Sequence, residues 1–298
     1  MSVKDVDPYH SMTKPVLKWV GGKSQIIGNV IAKFPAEIDN YFEPFVGGGS
    51  VLLAFLDEVN AGNIKLTRRA YACDLNKDLI DFYTELRYWP DKLCADAKEL
   101  FDEYASCTGE TKIHKPTTKE EATTSKESYY YWVRSMMMTP ARFLFLNKTC
   151  FRGLWREGPN GFNVPFGNYK RVNLDVEHLK AVSKLIQGVE FIHCDFDTSL
   201  KFPRDGDFMY LDPPYAPETK TSFVKYTKDG FDEKTHKRFF DMCNDLDTRF
   251  ALSNANVTMV REAFPETKYE VETIECRRAI NSKNPGATTT EVLISRKD

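Results

Sequence analysis

The sequence predicts an α/β fold in which a parallel, doubly wound sheet is split by a helical insertion. Three observations predict it. Short apolar runs alternate with glycine turns and helical stretches between Lys14 and Tyr88. An aromatic, Met-rich helical stretch follows, and a β-rich pattern resumes at Val189. Two of the apolar runs end in an acidic residue, Asp74 and Asp212. Strands alternating with helices at this spacing are brought side by side by crossovers, which makes them parallel.

Residues 41–46 (YFEPFV) read as a strand, and Gly47-Gly48-Gly49-Ser50 turns the chain into an apolar helix from Val51 to about Val59. Residues 69–74 read as a second strand, followed by a helix from about Lys77 to Tyr88. Residues 90–104 are helical in pattern. Residues 108–128 are rich in Thr, Lys and Glu, with no aromatic residue and only Ile113 as a large aliphatic, and are expected to form a mobile surface insertion. Residues 129–146 return to a helical pattern, whose MMM and FLFL runs are expected to be the core of a small helical subdomain. Further strands are expected at Val189 (VEFIHCDF), Phe208 (FMYL) and Arg249 (RFALSNAN). The final two, YEVETIECRR and TTTEVLISRKD, are expected to pair antiparallel. Residues 1–80 and 172–298 then form one discontinuous domain, with 81–171 inserted into it.

The 298 residues suffice for one large domain or two small ones. With 42% hydrophobic and 13% aromatic residues the chain can build a core, which excludes a largely disordered protein. Basic residues number 41 and acidic ones 43, a net charge of −2, which excludes coating nucleic acid by bulk charge. No run approaches the roughly 18 apolar residues of a membrane span, and the start lacks a signal-peptide apolar region. A soluble, cytoplasmic protein is expected. Seven cysteines (Cys73, Cys94, Cys107, Cys150, Cys194, Cys243 and Cys276) are an odd number with no CxxC spacing. They are expected to be reduced, mostly buried thiols, with no metal site; His193-Cys194 reads as strand packing.

The sharpest chemical feature is Asp212-Pro213-Pro214-Tyr215, directly after an apolar strand. A strand that delivers an acid at its carboxyl end places it where α/β sheets hold their active sites. The prolines stiffen the loop and remove backbone donors, leaving carbonyls. A carboxylate, carbonyls and an aromatic face suit a neutral planar amine, whose two hydrogens they accept while Tyr215 stacks on the ring. The bland reading is a proline turn capped by Asp.

The second feature is FEPFVGGGS, residues 42–50. Three consecutive glycines let the backbone approach a ligand closely and expose helix N-terminal amides. The pattern is not GxGxxG, so neither a dinucleotide nor a P-loop follows from it. Asp74, 25 residues beyond Gly49, stands where an acid accepts from ribose hydroxyls, or else caps the following helix. The third is LKWVGGK, residues 17–23, where Trp19 and Lys23 around a Gly-Gly turn would close over a cofactor, with Lys23 facing a carboxylate.

In the order LKWVGGK, FEPFVGGGSV, an acidic strand end, NKTCFRGLWR, FNVPFGNYK and DPPY, the chain resembles the Dam-type (alpha-group) DNA adenine-N6 methyltransferases, from about Lys14 to the C-terminus. The resemblance implies a Rossmann-like methyltransferase sheet, a helical target-recognition insertion with a β-hairpin, and S-adenosyl-L-methionine as cofactor. It assigns Trp19, Lys23, Phe45, Gly47, Gly49, Asp74, Asp195, Phe196 and Asp212 to the cofactor, with Asp195 and Phe196 at its adenine. Asp212, Pro213 and Tyr215 become the catalytic loop. Asp212 and the Pro213 carbonyl would accept both amino hydrogens and favour localisation of the nitrogen lone pair. The target atom is out of reach within a stacked duplex, so base flipping is implied.

The resemblance also implies double-stranded DNA as partner, no membrane, and a monomer or weak dimer; it leaves open whether a cognate restriction endonuclease exists as a functional, not physical, counterpart. Between Arg134 and Arg171 lie seven basic residues and one acid, a local +6 against −8 elsewhere. Phe151, Trp155, Phe162, Phe166 and Tyr169 interleave with them and are candidates to wedge or stack. Lys148, Phe151, Arg152, Leu154, Arg156, Lys170 and Arg171 are the DNA-contact candidates; the alternative is an aromatic hairpin packed on the helices with solvated charges. Arg152 stands where GATC enzymes commonly have Asn, and an arginine there reads guanine or takes a phosphate; GATC therefore stays one option for the recognition sequence. Residues 222–238, 253–255 and 277–282 resemble lesser family segments near the base, the active site and the DNA. The rival readings are a methyltransferase on another nucleobase amine (RNA adenine or guanine, or cytosine N4) and an inactive DNA-binding relative.

Overall fold

The computed structural model describes residues 12–217, 231–277 and 288–297. Seven strands make one sheet: β1 (Tyr41–Glu43), β2 (Ala70–Asp74), β3 (Val189–His193), β4 (Phe208–Leu211), β5 (Arg249–Ala255), β6 (Tyr269–Arg277) and β7 (Thr288–Arg296). Across the sheet they run β3-β2-β1-β4-β5-β7-β6. The first five are parallel, and β7 pairs antiparallel with both β5 and β6. Strand order therefore reverses between β1 and β4, the switch point at which an open α/β sheet leaves a crevice beyond its carboxyl ends. The loops leaving β1 and β4 are the glycine turn and DPPY.

Alternation along β4 shows how the sheet is buried. Phe208 and Tyr210 belong to one core cluster, Met209 and Leu211 to the cluster on the other face, and all four are buried. Helices α1 (Ser50–Asn60) and α2 (Lys77–Tyr88) cover the first face, through Leu52 and Phe55 and through Phe82 and Tyr83. Helix α7 (Glu233–Asn244) covers the second with Phe239 and Phe240. Strand β1 ends at Glu43, earlier than the apolar run suggests; Pro44 follows, and a proline has no N–H to continue a ladder.

Between α2 and β3 lie α3 (Pro90–Ser106), α4 (Lys126–Ser135), α5 (Pro140–Thr149) and α6 (Val176–Leu185). The expected single helical stretch over residues 129–146 is two helices, because Thr139 caps α5 and Pro140 opens it. Phe143 to Leu146 are buried as expected, but Met137, in the break, is 85% exposed. Leu93, Ala97, Phe143 and Leu144 extend the main core, while Phe101, Tyr129, Tyr130 and Phe145 form a third cluster with Phe162.

Residues 108–128 are not the structureless insertion their composition suggests. Ser128 Oγ donates to the Thr111 carbonyl and accepts from Ile113 N; Thr124 Oγ1 also bonds the Thr111 carbonyl. Thr118 and Ser125 cap the next two helical segments. Hydroxyls here satisfy backbone groups that a poor apolar content leaves without a sheet or core. Among the described residues six cysteines are free thiols, five of them buried. His193, read as packed, is instead exposed, with its Nε2 3.1 Å from the Leu75 carbonyl. No helix among the described residues is long and apolar enough to cross a membrane.

Candidate active site and DNA face

Asp212 leaves the end of β4 beside the switch point. Its Oδ2 receives Lys23 Nζ at 2.7 Å, and the same ammonium, on a side chain only 4% exposed, also donates to the Gly21 carbonyl. Asp212 Oδ1 is shielded from solvent and has no hydrogen-bond partner among the described residues. Burial pushes the Asp212 carboxyl up, Lys23 draws it back down, and Glu291 adds a smaller upward push. Pro213 is buried behind it and Pro214 exposed. Tyr215 donates its phenol to Glu291 Oε2 at 2.7 Å, and Lys23 Nζ stands 5.0 Å from its ring centroid. Ala216 N donates to Asn254 Oδ1 at 3.0 Å, so the SN segment of β5 braces this loop from behind.

The glycine turn is shaped by what lies against it. Gly47 and Gly49 have φ of 47° and 73°, a region that favours glycine. A Cβ on Gly47 would fall 2.8 Å from Trp19 Cδ1, and one on Gly49 2.8 Å from the Tyr83 hydroxyl. Trp19 thus lies directly on the turn. Its own segment is held there by Asn147, which exchanges two hydrogen bonds with the Lys18 backbone, and by Lys23 N donating to Ser50 Oγ. Gly49 gives α1 an N-terminus with no side-chain cap.

Asp74 accepts from Gly47 N at 3.0 Å and from Asn76 N at 2.9 Å, which ties β2 to the glycine turn. It does not cap α2; Asn76 does, accepting from Leu79 N. Burial raises the Asp74 carboxyl and the backbone amides partly offset that. Phe45 stacks on Phe196 at 6.1 Å, and Asp195 opens the short helix that carries Phe196. Glu43, unremarked in the sequence, is buried, accepts the Tyr41 phenol at 2.6 Å, and has its carboxyl pushed up to about 8 by burial.

The structure brings together Trp19, Lys23, Phe45, Gly47, Gly49, Asp74 and Asp212. Lys23 departs from expectation: its ammonium is taken by Asp212, because both are withdrawn from water and each is the other's counter-charge. The residues missed by sequence reasoning are Glu43, Tyr41 and Glu291. An acid beside an apolar strand was the available signal in each carboxylate case.

The basic segment is less free than its composition suggests. Lys170, Arg171, Arg152 and Phe151 are exposed. Arg156 is exposed too, but its guanidinium bonds Asn163 Oδ1 and the Asn163 carbonyl. Lys148 is half-buried, and Arg134 and Arg142 spend donors on the Val164 and Met137 carbonyls. Glu157–Gly158 and Gly161–Phe162 form a short antiparallel hairpin. Phe162 is buried and Trp155 stacks between it and Phe143, so these rings are core and not wedges. Phe166 likewise packs on Tyr130. Leu154 is partly buried against the helical core. Arg152 has a φ of 57°, and its N–H donates to the Tyr169 hydroxyl. Residues 218–230 and 278–287, which hold most of two further expected segments, lie outside the described residues.

At the carboxyl ends of four neighbouring parallel strands stand Glu43, Asp74, Asp195 and Asp212, with Lys23 paired to the last of them. Acids facing a glycine turn and an uncapped helix start fit a ligand with both cationic and hydroxyl groups and a carboxylate, and the residues present therefore fit S-adenosylmethionine.

The fold is an open α/β sheet with acids and a glycine turn at its switch point, the place where such sheets hold their ligands. Residues 19–280 match the D12 class N6 adenine-specific DNA methyltransferase family. The chain belongs to that family. It is 34% identical over 292 residues to the type II methyltransferase M.MjaIII of Methanocaldococcus jannaschii, covering 91% of this chain and 93% of the relative. It is 27% identical to the type II methyltransferase M1.LlaDCHI of Lactococcus lactis, covering 95% of each. It is 29% identical to the DNA adenine methylase of Haemophilus influenzae, covering 91% and 89%.

Proposed function

We propose that this chain is a Dam-type enzyme that transfers the methyl group of S-adenosylmethionine to N6 of an adenine flipped out of double-stranded DNA. The observation that carries the reading is Asp212: one carboxylate oxygen is fixed by Lys23 and the other is withdrawn from water without a donor. An amino group arriving at Oδ1 displaces no competing bond, so its hydrogen bond keeps its full strength. Asp212 Oδ1 and the Pro213 carbonyl accept the two N6 hydrogens, and Tyr215 stacks on the base. When bound, S-adenosylmethionine supplies an electrophilic methyl group.

Trp19, Phe45, Gly47 and Gly49 shape its pocket. Asp74 accepts ribose hydroxyls on lone pairs its two amide donors leave free. Asp195 and Phe196 contact its adenine, and Lys23 acts through Asp212 as well as on the cofactor side. Residues 81–171 form the target-recognition unit, with Lys148, Phe151, Arg152, Leu154, Arg156, Lys170 and Arg171 towards DNA. The type II names of two relatives favour a restriction–modification setting.

The test is transfer of radiolabelled methyl to unmethylated plasmid, followed by nuclease digestion and identification of the labelled nucleoside. N6-methyladenine is expected. N4-methylcytosine, or label found only in added RNA, overturns the reading.

A further inference from the structure

Glu291 lies on β7 opposite Ala255, the last residue of β5, far in sequence from DPPY yet bonded to its tyrosine. Tyr215 is held at three points. Its neighbour's amide is fixed by Asn254, Lys23 stands over one face, and its hydroxyl donates to Glu291 Oε2 at 2.7 Å. The first fixes the backbone and the second restrains the ring's tilt. Among the described residues Glu291 alone fixes the hydroxyl end, and with it the rotation of the ring about the chain. A side chain that must be immobilised as its ligand arrives loses affinity to that ordering, whereas one already fixed does not.

We propose that Glu291 is a positioning residue for the target base: it locks the Tyr215 ring in place before the base arrives, and so couples the terminal β-hairpin to the catalytic loop. The inference rests on Tyr215 as the surface on which the target base stacks. Lys23 occupies one ring face, so the base takes the other. Towards Tyr215 the carboxylate serves as a hydrogen-bond acceptor, and its charge acts separately on Asp212, so above the acid limb of the pH–rate profile an uncharged acceptor of the same shape serves as well, and an apolar isostere does not.

The experiment compares Glu291→Gln, Glu291→Leu, Tyr215→Phe and the Leu/Phe double variant in steady-state methylation of plasmid DNA, with melting temperatures as a folding check. E291L and Y215F should each lower kcat/KM for DNA about tenfold (a factor of ten is about 1.4 kcal/mol). Most of that loss should appear in KM. The double variant should fall no further than either single one, because both remove the same bond. E291Q should restore activity to within about twofold of wild type, a rescue that tests the hydrogen bond itself. Multiplying effects in the double variant, or a Gln variant as impaired as Leu, overturns the proposal. Fluorine NMR of 3-fluorotyrosine at position 215 supplies a readout that needs no DNA. E291L should shift or broaden the resonance and E291Q should not; an unmoved resonance in E291L also overturns it. If wild type fails to methylate adenine while the NMR behaves as stated, it is the functional reading that has failed.

Discussion

Lys23 Nζ and Asp212 Oδ2 lie 2.7 Å apart although 189 positions separate them in the chain. The pair joins the first glycine segment to the DPPY loop, and it decides which Asp212 oxygen is left to accept from substrate. Burial raises the Asp212 carboxyl and Lys23 opposes that, so the lysine favours the ionised form that accepts hydrogen bonds.

Replacing Lys23 with Met removes the downward pull and leaves burial and Glu291 pushing the carboxyl up. Activity requires the ionised form, so the acid limb of the pH–rate profile should move to higher pH. Glu291→Gln removes an upward push and should move the same limb to lower pH. Rate profiles between pH 5 and 9 decide this; a limb that stays put in both variants removes Asp212 as the group being titrated. K23M should also melt earlier below the shifted limb by less than above it, since a protonated Asp212 no longer needs a cation.

Asp212→Asn is the sharper probe of geometry. The asparagine oxygen will turn to Lys23, which leaves its NH2 where Oδ1 was, a donor facing the donor N6. The single-turnover rate should fall by at least about 100-fold, the scale of a lost transition-state contact, as in Asp212→Ala. Cofactor affinity, measured by calorimetric titration, should stay close to wild type. An asparagine variant with an undiminished rate would refute the assigned role.

The strands and the site's two loops were legible because each rests on local signals: an apolar run, a glycine or proline turn, an acid at the strand end. Asn76 and Thr139 cap their helices as their types favour. What was hidden depends on long-range packing. Trp155 and Phe162 resemble wedging aromatics beside arginines, but Trp155 packs between Phe143 and Phe162 as core. Glu291 sits in an ordinary alternating strand, and only the pairing of β7 with β5 carries it to Tyr215. The polarity of residues 108–128 hides their order, since the bonds that hold them run from hydroxyl to backbone.

Glu43 predicts a slope in stability. Its carboxyl rises from an ordinary 4.5 to about 8 on folding, so the folded protein holds a proton that the unfolded chain gives up. Stability from this group is therefore full below about pH 4.5, declines as pH rises through that window, and levels off above about pH 8. Glu43→Gln keeps an acceptor for the Tyr41 phenol and has no proton to lose. Its melting temperature should match wild type near pH 5 and exceed it by pH 8.5, where the stability difference is of the order of a few kcal/mol. Parallel melting profiles over that range would contradict the shift.

Gly47→Ala and Gly62→Ala separate backbone strain from lost space. Both residues have positive φ, 47° and 77°, but a Cβ at Gly62 meets nothing within 4 Å, while at Gly47 it meets Trp19. G62A should cost about 1 kcal/mol and leave cofactor affinity unchanged. G47A should cost more, because Trp19 must shift, and should weaken cofactor binding measurably by calorimetry. Equal affinities in the two variants would detach the glycine turn from the cofactor.

Arg152 opposes stability to function at one position. Its φ of 57° is unfavourable for any side chain, and its exposed guanidinium lies over the Phe151 ring, 5.2 Å from the centroid, with no acid partner among the described residues. The Tyr169 hydroxyl holds its backbone N–H, yet a glycine would take the same conformation without strain, which is the pattern of a side chain kept for what it contacts. Arg152→Gly removes the strain but enlarges the freedom of the unfolded chain, so it should melt at or slightly above wild type, whereas Arg152→Ala keeps the strain and should not gain. Both should reduce plasmid methylation about tenfold, a loss worth about 1.4 kcal/mol. Sequencing the methylated sites then divides the two roles: a guanine contact predicts relaxed choice at one base pair, and a phosphate contact predicts unchanged choice with a salt dependence shallower by about one ion. A glycine variant that methylates at the wild-type rate would remove Arg152 from the DNA face, whatever its melting temperature.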